Sequence, residues 1–201
     1  MADGKVLSRS ALAGLASPHR AGAAAPTAGV RIREIAAFAA IGIIARRGRI
    51  DEVGAILSRH AGSPVQDVAR RVGPENLAVT GTAPGQWLVM SRDPDPQVRL
   101  DDVRADLDGL AAVTDQGDGR VVLDVSGSRA RDALAKGIPV DLDAIAFEIG
   151  DAAQTSAGHI GLQIALIDDA PTFEIISARS TAESLWSWLV ASAAEYGIEV
   201  L

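Results

Sequence analysis

Few side chains in this sequence could carry out acid–base or nucleophilic chemistry, and they lie far apart along the chain. A nucleophilic Ser, Thr or Lys needs a general base within hydrogen-bond reach, and that base is most often histidine. The only histidines are His19, His60 and His159, which fall in an N-terminal arm, at a predicted helix end and at a predicted strand start. None has the i, i+4 spacing of a helical zinc site. We therefore predict surface or loop histidines and no catalytic residue.

Two acidic segments could be mistaken for metal sites, but both are better explained as turns. The segment "DQGDGR", residues 115–120, places two carboxylates in a glycine-rich stretch. A calcium loop would need oxygen ligands over a longer span and a closing glutamate, which this segment lacks. Asp168 and Asp169 precede Ala170 and Pro171, a composition typical of a tight turn. The G-x-G-x-x-G and G-x-x-x-x-G-K-[ST] patterns are also missing, so the sequence predicts neither a metal site nor a standard nucleotide cradle.

The composition is typical of a globular protein that binds neither nucleic acid nor membrane. Hydrophobic residues make up 48% and charged residues 22% of the 201 positions. The formal charge of −7 argues against nucleic acid, because phosphate backbones bind clusters of Lys and Arg. Cysteine is missing, which excludes disulfides and thiolate metal ligands. No apolar run approaches the ~20 residues of a membrane helix, and the N-terminus lacks the apolar core of a secretory signal, so we expect a cytoplasmic protein.

The elements that would position these side chains fall into an arm and two halves. Residues 1–29, rich in Ala, Gly, Ser and Pro, predict an arm that is disordered alone or held against a partner. Residues 30–115 predict a first α+β half, and residues 116–201 predict a second; the two may count as one domain, 30–201. We expect α+β architecture, with antiparallel sheets carrying helices on one face in two closely packed halves.

The first half has the βαββαβ order of a ferredoxin-like unit. We predict a long bent strand from Val30 to Gly48, whose Ala-rich middle could also be helical. A helix from Ile50, which Gly62 and Pro64 end, and strands at "NLAVT" and "QWLVMS" follow. A helix through Leu100 and Leu110 and a short strand near Val113 complete the unit.

The second half begins with the strand "GRVVLDVSG" and the helix "SRARDALAKG", which Ser126 could cap and Gly137 could stop. Three strands are predicted at "AAQTSAG", "HIGLQIALIDD" and "TFEIIS", with "DDAP" as a tight turn. A final helix contains two of the three tryptophans. The spacing of Ser180 and Glu183 is that of a capping box at its start, and Gly197 is placed to stop it.

Trp186 and Trp188 cannot share a face of this final helix, because two residues are about 200° apart around a helix. Trp186 lies on the side of Leu185 and Leu189 and is predicted to anchor the core. Trp188 lies on the polar side with Ser184 and Ser192. It is either covered by a loop or the arm of its own chain or it faces a partner, since tryptophan is enriched at interface hot spots.

Several ordered segments resemble the gamma subunit of heterotetrameric sarcosine oxidase. The residues that carry the resemblance are "DGRVVLDVSGSRARDALAKGIPVDLD", residues 118–143, then "AAQT", residues 152–155, and "DDAPTFEIISARSTAESLWSWLVASAAEYGI", residues 168–198. "GQWLVMS" around Trp87 and the opening "LSRSALAGL" add weaker support.

This resemblance implies a non-catalytic gamma subunit of a complex that oxidatively demethylates sarcosine to glycine, formaldehyde or methylene-tetrahydrofolate, and hydrogen peroxide. It implies partner alpha, beta and delta subunits, with the alpha subunit as the chief contact. FAD, FMN, NAD, zinc and tetrahydrofolate would be bound by those partners, and none by this chain. The implied fold is related to the folate-binding aminomethyltransferase fold. Trp188, Trp87, Ser184, Ser192 and the arm become candidate docking elements.

The alternative is a stand-alone folate- or amine-binding protein, or a weak one-carbon transferase, that uses a cleft between the halves. Folate recognition usually needs a buried carboxylate facing the pterin and basic groups for the glutamate tail. Asp124 and Arg120 are candidates for these roles.

Overall fold

Two β-sheets face each other at the centre of the molecule, and helices cover their outer surfaces. The structure is a computed structural model that describes residues 10–23 and 27–201. Ala40, Leu88 and Met90 of one sheet pack against Val122 and Ile176 of the other; we call these five residues the inter-sheet cluster. The predicted α+β architecture with helices on one face of each sheet is confirmed.

The first sheet has five strands in the order β4-β5-β6-β3-β7. The helix α1 forms because Val53, Ile56 and Leu57 recur at helical spacing and are buried, and it ends where Gly62 adopts the left-handed φ of 65°. The elements are β3 Ala39–Ala45, α1 Ile50–Ala61, β4 Arg71–Val72, β5 Leu77–Ala83, β6 Gln86–Ser91, α2 Pro96–Asp106 and β7 Ala111–Asp115. Strands β5, β6, β3 and β7 and the two helices reproduce the predicted βαββαβ unit.

The second sheet has seven strands in the order β1-β12-β2-β8-β11-β10-β9. Its pairs are antiparallel except β12 with β2, which is parallel. The helices α3 and α4 cover its outer face through Leu134, Leu185 and Leu189. The elements are β1 His19–Ala21, β2 Val30–Glu34, β8 Arg120–Ser126, α3 Ala130–Ala135, β9 Ala152–Ala157, β10 Ile160–Asp168, β11 Thr172–Ala178, α4 Ala182–Ala193 and β12 Ile198–Val200.

The prediction of one long strand from Val30 to Gly48 is wrong. The segment forms β2 and β3, which belong to different sheets. Ile35 and Phe38, in the connection between them, pack against the inter-sheet cluster, and the chain crosses there from one sheet to the other. The first strand of residues 30–115 therefore completes the sheet formed by residues 116–201. The strand β12, which also lies in that sheet, was not predicted.

Both predicted serine caps are also wrong. The N-cap of α3 is Arg129, whose side chain makes no capping hydrogen bond, and Ser126 is still the last residue of β8. A 3-10 turn, Arg179–Thr181, precedes α4, so Ser180 lies inside this turn and the capping box with Glu183 does not form. The Thr181 hydroxyl donates instead to the carbonyl oxygen of Ala178 over 2.9 Å. As predicted, Gly197, with φ of 72°, follows the last helical turn.

The described part of the N-terminal arm is held against the second sheet. Leu12, which lies within a turn at residues 11–16, is buried in the core of that half. The short strand β1 pairs with β12, with His19 opposite Val200. The rest of the predicted arm, residues 1–9 and 24–26, lies outside the described residues.

Candidate functional site

Polar side chains converge between the two sheets on both sides of the inter-sheet cluster. On one side lie four charged residues, Arg71, Arg92, Asp124 and Glu174, which we call the buried charge network. On the other lies a cleft whose lining includes four glutamines and one arginine. The inward-facing positions of β8, β10 and β11 alternate with the apolar residues that pack on α3 and α4, and this alternation places the polar groups between the sheets.

The buried charge network joins the two sheets. Arg71 Nε donates to Glu174 Oε1 over 3.0 Å, and Arg92 Nη2 donates to Glu174 Oε2 over 2.7 Å. Arg92 also donates to both carboxylate oxygens of Asp124, over 3.0 and 2.9 Å. Half-exposed Arg33 adds a hydrogen bond of 2.8 Å to Asp124 Oδ2. Glu174 and Asp124 lie opposite each other on β11 and β8, so Arg92 can bridge the pair, whereas Arg71 contacts Glu174 alone.

The charges of this network satisfy one another inside the protein. Burial alone would lower the pKa of Arg92, but the hydrogen bonds that Arg92 donates to Asp124 and the negative charges of Glu174 and Asp124 outweigh burial and raise this pKa above its ordinary value. Both carboxylates accept at least two hydrogen bonds from arginines. Asp124, a candidate from the sequence for pterin recognition, is thus occupied by arginines of its own chain.

The cleft on the other side has a volume of about 340 Å³. Strands of both sheets line it, and we call it the amide cleft because four of the six glutamines of the chain contribute to its walls. Arg120, the other candidate from the sequence, also lines it and donates to Gln116 Oε1 over 2.8 Å. The amide groups are Gln86, Gln116, Gln154 and Gln163.

Gln163 is the most deeply placed amide of the cleft. It pairs across the sheet with Gln154 on one side and Ile176 on the other. Gln154 Nε2 donates to Gln163 Oε1 over 2.9 Å. The side chain of Gln163 is buried, and within the described part of the chain its Nε2 atom has no hydrogen-bond partner.

The docking candidates from the sequence have different environments. Trp87 is buried in the first core, and its Nε1 donates to the carbonyl oxygen of Gln66 over 3.3 Å. Ser192 is also buried, so neither side chain offers a surface to a partner. Ser184 is exposed and Trp188 is half-buried. A docking role for Ser184 and Trp188 stays a prediction.

Trp186 and Trp188 differ in burial, as their positions on opposite faces of the helix predict. Trp186 is 6% exposed and lies in the second core. Trp188 packs on the edge of that core, with its ring against Gly137 after α3. A Cβ at Gly137 would lie 2.9 Å from two ring atoms, so this glycine makes room for the ring. A loop of the same chain therefore covers one part of Trp188.

The histidines and acidic turns have the local roles that the sequence predicts. His19 and His159 are exposed, and His60 contacts Asp106 Oδ2 over 2.9 Å. The carboxylate of Asp168 accepts hydrogen bonds from the backbone of Ala170 and Thr172, which forms the predicted turn. Asp115 similarly accepts from the backbone of Gly117. Within residues 10–23 and 27–201, no group of three or more His, Asp or Glu residues could hold a metal ion.

Comparison with solved structures first defines the class of protein. The glycine cleavage system aminomethyltransferase T from Bartonella henselae superposes on 86% of this chain with a TM-score of 0.63 at 15% identity, and the match spans 47% of that enzyme. The chain thus has an aminomethyltransferase-type fold of two facing α+β halves.

The family follows from two further matches. The heterotetrameric sarcosine oxidase from Corynebacterium sp. U-96 matches over 94% of this chain and 95% of the matched chain, with a TM-score of 0.78 and 25% identity. The model of the sarcosine oxidase, gamma subunit family matches residues 65–195. This chain belongs to the sarcosine oxidase gamma subunit family, which confirms the resemblance noted in the sequence. Comparison with curated proteins gives no significant match. Across the described residues, no helix is long and apolar enough to cross a membrane.

Proposed function

We propose that this chain is the non-catalytic gamma subunit of a sarcosine-oxidising complex and that it acts by assembling with partner subunits, chiefly the large alpha subunit. The observation that carries the proposal is the match to nearly the whole of one chain of a heterotetrameric sarcosine oxidase. The pairing of Asp124 and Glu174 with arginines supports a structural role for these carboxylates. The redox cofactors FAD, FMN and NAD, and the zinc ion and tetrahydrofolate, would then be bound by the partner subunits.

One loop presents an exposed apolar side chain that suits such assembly. Ile145, between α3 and β9, is 91% exposed, the largest value among the exposed large hydrophobic residues. Ile149 on the same loop is also exposed. The surrounding residues Asp143, Glu148 and Asp169 are acidic and exposed. We expect the partner surface to combine an apolar pocket with basic side chains.

The loop that carries Ile145 is fixed by the rest of the second half. The Asp143 carboxylate accepts a hydrogen bond of 2.9 Å from the backbone N–H of Ile145. Arg131 donates to the carbonyl oxygens of Leu142 and Phe147. Phe147 is buried and stacks on Phe173 with ring centroids 6.3 Å apart. Because the loop is ordered, docking of Ile145 would cost little conformational entropy.

The substitution Ile145→Asp should weaken assembly about tenfold without destabilising the chain, because loss of an interface anchor costs about 1–2 kcal/mol. The measurement is the concentration dependence of co-elution of this chain with its partner subunits in gel filtration. Val98→Asp is the matched control, since Val98 is a 58% exposed apolar residue on α2 in the other half. An Ile145→Asp chain that assembled as the unchanged chain does would refute the docking role of this loop.

Co-purification from the native cell tests the proposed function itself. A complex that contains this chain, flavin-bearing subunits and sarcosine oxidation activity is expected. Recovery of the chain free of such subunits would refute the proposed function.

The variant Trp188→Ala tests the docking role predicted for Trp188 in the same experiment. Intact assembly of this variant would show that Trp188 only covers Gly137.

Titration with tetrahydrofolate distinguishes the proposed subunit role from the alternative of a stand-alone folate-binding protein. Because Asp124 is paired with Arg92 and Arg33, no micromolar binding to the isolated chain is expected. Micromolar binding would favour the alternative.

A further inference from the structure

On the basis of the subunit role proposed above, we propose that the outer edge of β7 docks an extended segment of a partner subunit. That segment would add to the first sheet as a further strand. It would carry an acidic residue facing Arg46 and Arg47 and a basic residue facing Asp115. An apolar residue between them would cover Ile44.

The outer edge of β7 has unpaired backbone groups. This strand ends the first sheet and pairs with β3 alone. Just beyond it, the N–H of Gln116 donates to the carbonyl oxygen of Ala40 over 2.8 Å, so the even-numbered residues bond to β3 and the odd-numbered ones face away. Val113 and Asp115 therefore direct their N–H and C=O groups outward, and among the described residues neither has a backbone partner there. Such an edge is a template for strand addition.

The other edges of the two sheets are less open than β7. The strand β9 ends the second sheet, but the N–H of Ala152 donates to the carbonyl oxygen of Ala69 over 3.2 Å. Just past the other end of β9, the N–H of Gly158 donates to the carbonyl oxygen of Gly137 over 3.1 Å. The strands β1 and β4 have only three and two residues. An added strand is therefore best accommodated at β7.

An exposed apolar side chain lies beside this edge. Ile44 on β3 is 52% exposed and lies opposite Ala112 of β7. Its side chain projects on the same side of the sheet as Ala40 of the inter-sheet cluster, because the two positions differ by an even number. Ala112 is small and exposed, so a large side chain on a strand added to β7 can reach across it to Ile44.

Two arginines lie where the edge begins. The backbone N–H of Arg46 donates over 2.9 Å to the carbonyl oxygen of Leu110, the residue before β7. Arg46 and Arg47 are both exposed. Arg49 in the same turn pairs with Glu52, whereas neither Arg46 nor Arg47 forms an ion pair within the described part of the chain. Their charges are therefore available to an acidic partner.

The charge changes sign along the edge. Asp108, in the turn before β7, offsets part of the charge of Arg46 and Arg47, so this end keeps an excess of positive charge. Asp115 and Asp118 are exposed at the other end, and they form no ion pair with a described residue. A partner segment with the opposite order of charges would be fixed in direction and register.

Hydrogen–deuterium exchange tests the added strand directly. Mass spectrometry of peptides that cover residues 108–116 would compare the purified complex with the isolated chain. We expect the outward N–H groups of Val113 and Asp115 to exchange fast in the isolated chain and at least about tenfold more slowly in the complex, because a new hydrogen bond protects them.

Fast exchange of these groups in an intact complex would overturn this inference and leave the proposed function standing. Slow exchange already in the isolated chain would also overturn it, because the edge would then be covered by the chain itself or by a second copy. A chain that forms no complex with flavin-bearing subunits would overturn the inference together with the proposed function.

The variant Val113→Pro distinguishes strand addition from simple coverage. Proline removes the outward N–H, which β3 does not use, so the sheet should tolerate it. We expect assembly at least about tenfold weaker in the gel-filtration experiment, with folding checked by urea unfolding. Val113→Ala loses side-chain packing but keeps the N–H, and it should assemble as the unchanged chain does. Equal assembly of the two variants would overturn the proposal.

The charge of the edge is tested by Arg47→Glu. This variant should assemble several-fold more weakly at low salt, and the difference should vanish near 1 M salt, where charges are screened over about 3 Å. Arg99→Glu, which reverses an exposed charge on α2, is the matched control and should leave assembly unchanged. Equal effects of the two reversals would overturn the acidic character proposed for the partner segment.

Discussion

Replacing Glu174 with alanine is expected to lower the free energy of unfolding by about 3–5 kcal/mol, the usual cost of removing one partner from a buried ion pair. Glu174 is 1% exposed and accepts hydrogen bonds from both Arg71 and Arg92. Without it, Arg92 and Arg33 share the carboxylate of Asp124, and Arg71, at 8% exposure, loses its ion-pair partner. The penalty is thus mainly the cost of an uncompensated charge between the sheets.

Urea unfolding followed by far-UV circular dichroism measures this loss. Glu52→Ala is the control, because Glu52 pairs with Arg49 on the surface and both side chains are half exposed. An exposed pair contributes only about 0–1 kcal/mol. If Glu174→Ala lost no more than Glu52→Ala, the network would not hold the sheets together. A chain in which Arg71 and Glu174 are both replaced by apolar residues should recover much of the loss, since it leaves one fewer unpaired charge.

The second large effect is expected for Trp186→Ala, which should cost about 3–5 kcal/mol because a large ring is removed from a closed core. Aromatic residues are only 3% of this sequence, and the second core is built mainly from Leu, Ile, Val and Ala. Small side chains on a sheet have limited freedom to refill a cavity the size of an indole. Trp188→Ala should cost about 1–2 kcal/mol, because its ring is half-buried and only covers the edge of this core.

Both tryptophans lie on α4, so the difference in the free energy of unfolding between the two variants reports the difference in burial of the two rings. Equal losses would show that Trp188 is as much part of the core as Trp186. A smaller loss for Trp186→Ala than for Trp188→Ala would reverse the assignment of the two faces of the helix.

Elements with a clear periodicity could be predicted from the sequence. The spacing of Val53, Ile56 and Leu57 predicts α1, and the left-handed Gly62 ends it where expected. The opposite faces of Trp186 and Trp188 follow from the 100° rotation per residue. Local signals failed where packing decided the outcome. Val30 to Gly48 is extended on both sides of its break, and only the contact of Ile35 and Phe38 with the inter-sheet cluster shows why the chain changes sheets.

The sequence indicates single polar residues that should be buried between the sheets, but it does not predict which residues pair with them. Asp124 in "VVLDVS" and Glu174 in "TFEIIS" each place a carboxylate within an apolar strand, which signals a buried charge that needs a partner. Their partners Arg71 and Arg92 lie 32 to 103 positions away in the chain. Three glutamines of the amide cleft lie on separate strands, and Gln116 follows the end of β7. Only the packing of one sheet on the other brings them together.

The position of β2 has a consequence for how the chain is made. This strand lies between β8 and β12, so Val30 pairs with Ile198 and Arg31 pairs with Ser126. During synthesis the ribosome releases the N-terminal strand long before either neighbour exists, because translation proceeds from the N-terminus. The second sheet can close only when residues 198–200, which form β12, have emerged. Until then β2 lacks one of its two neighbours and presents an unpaired strand edge, the kind of surface that chaperones protect in unfinished chains.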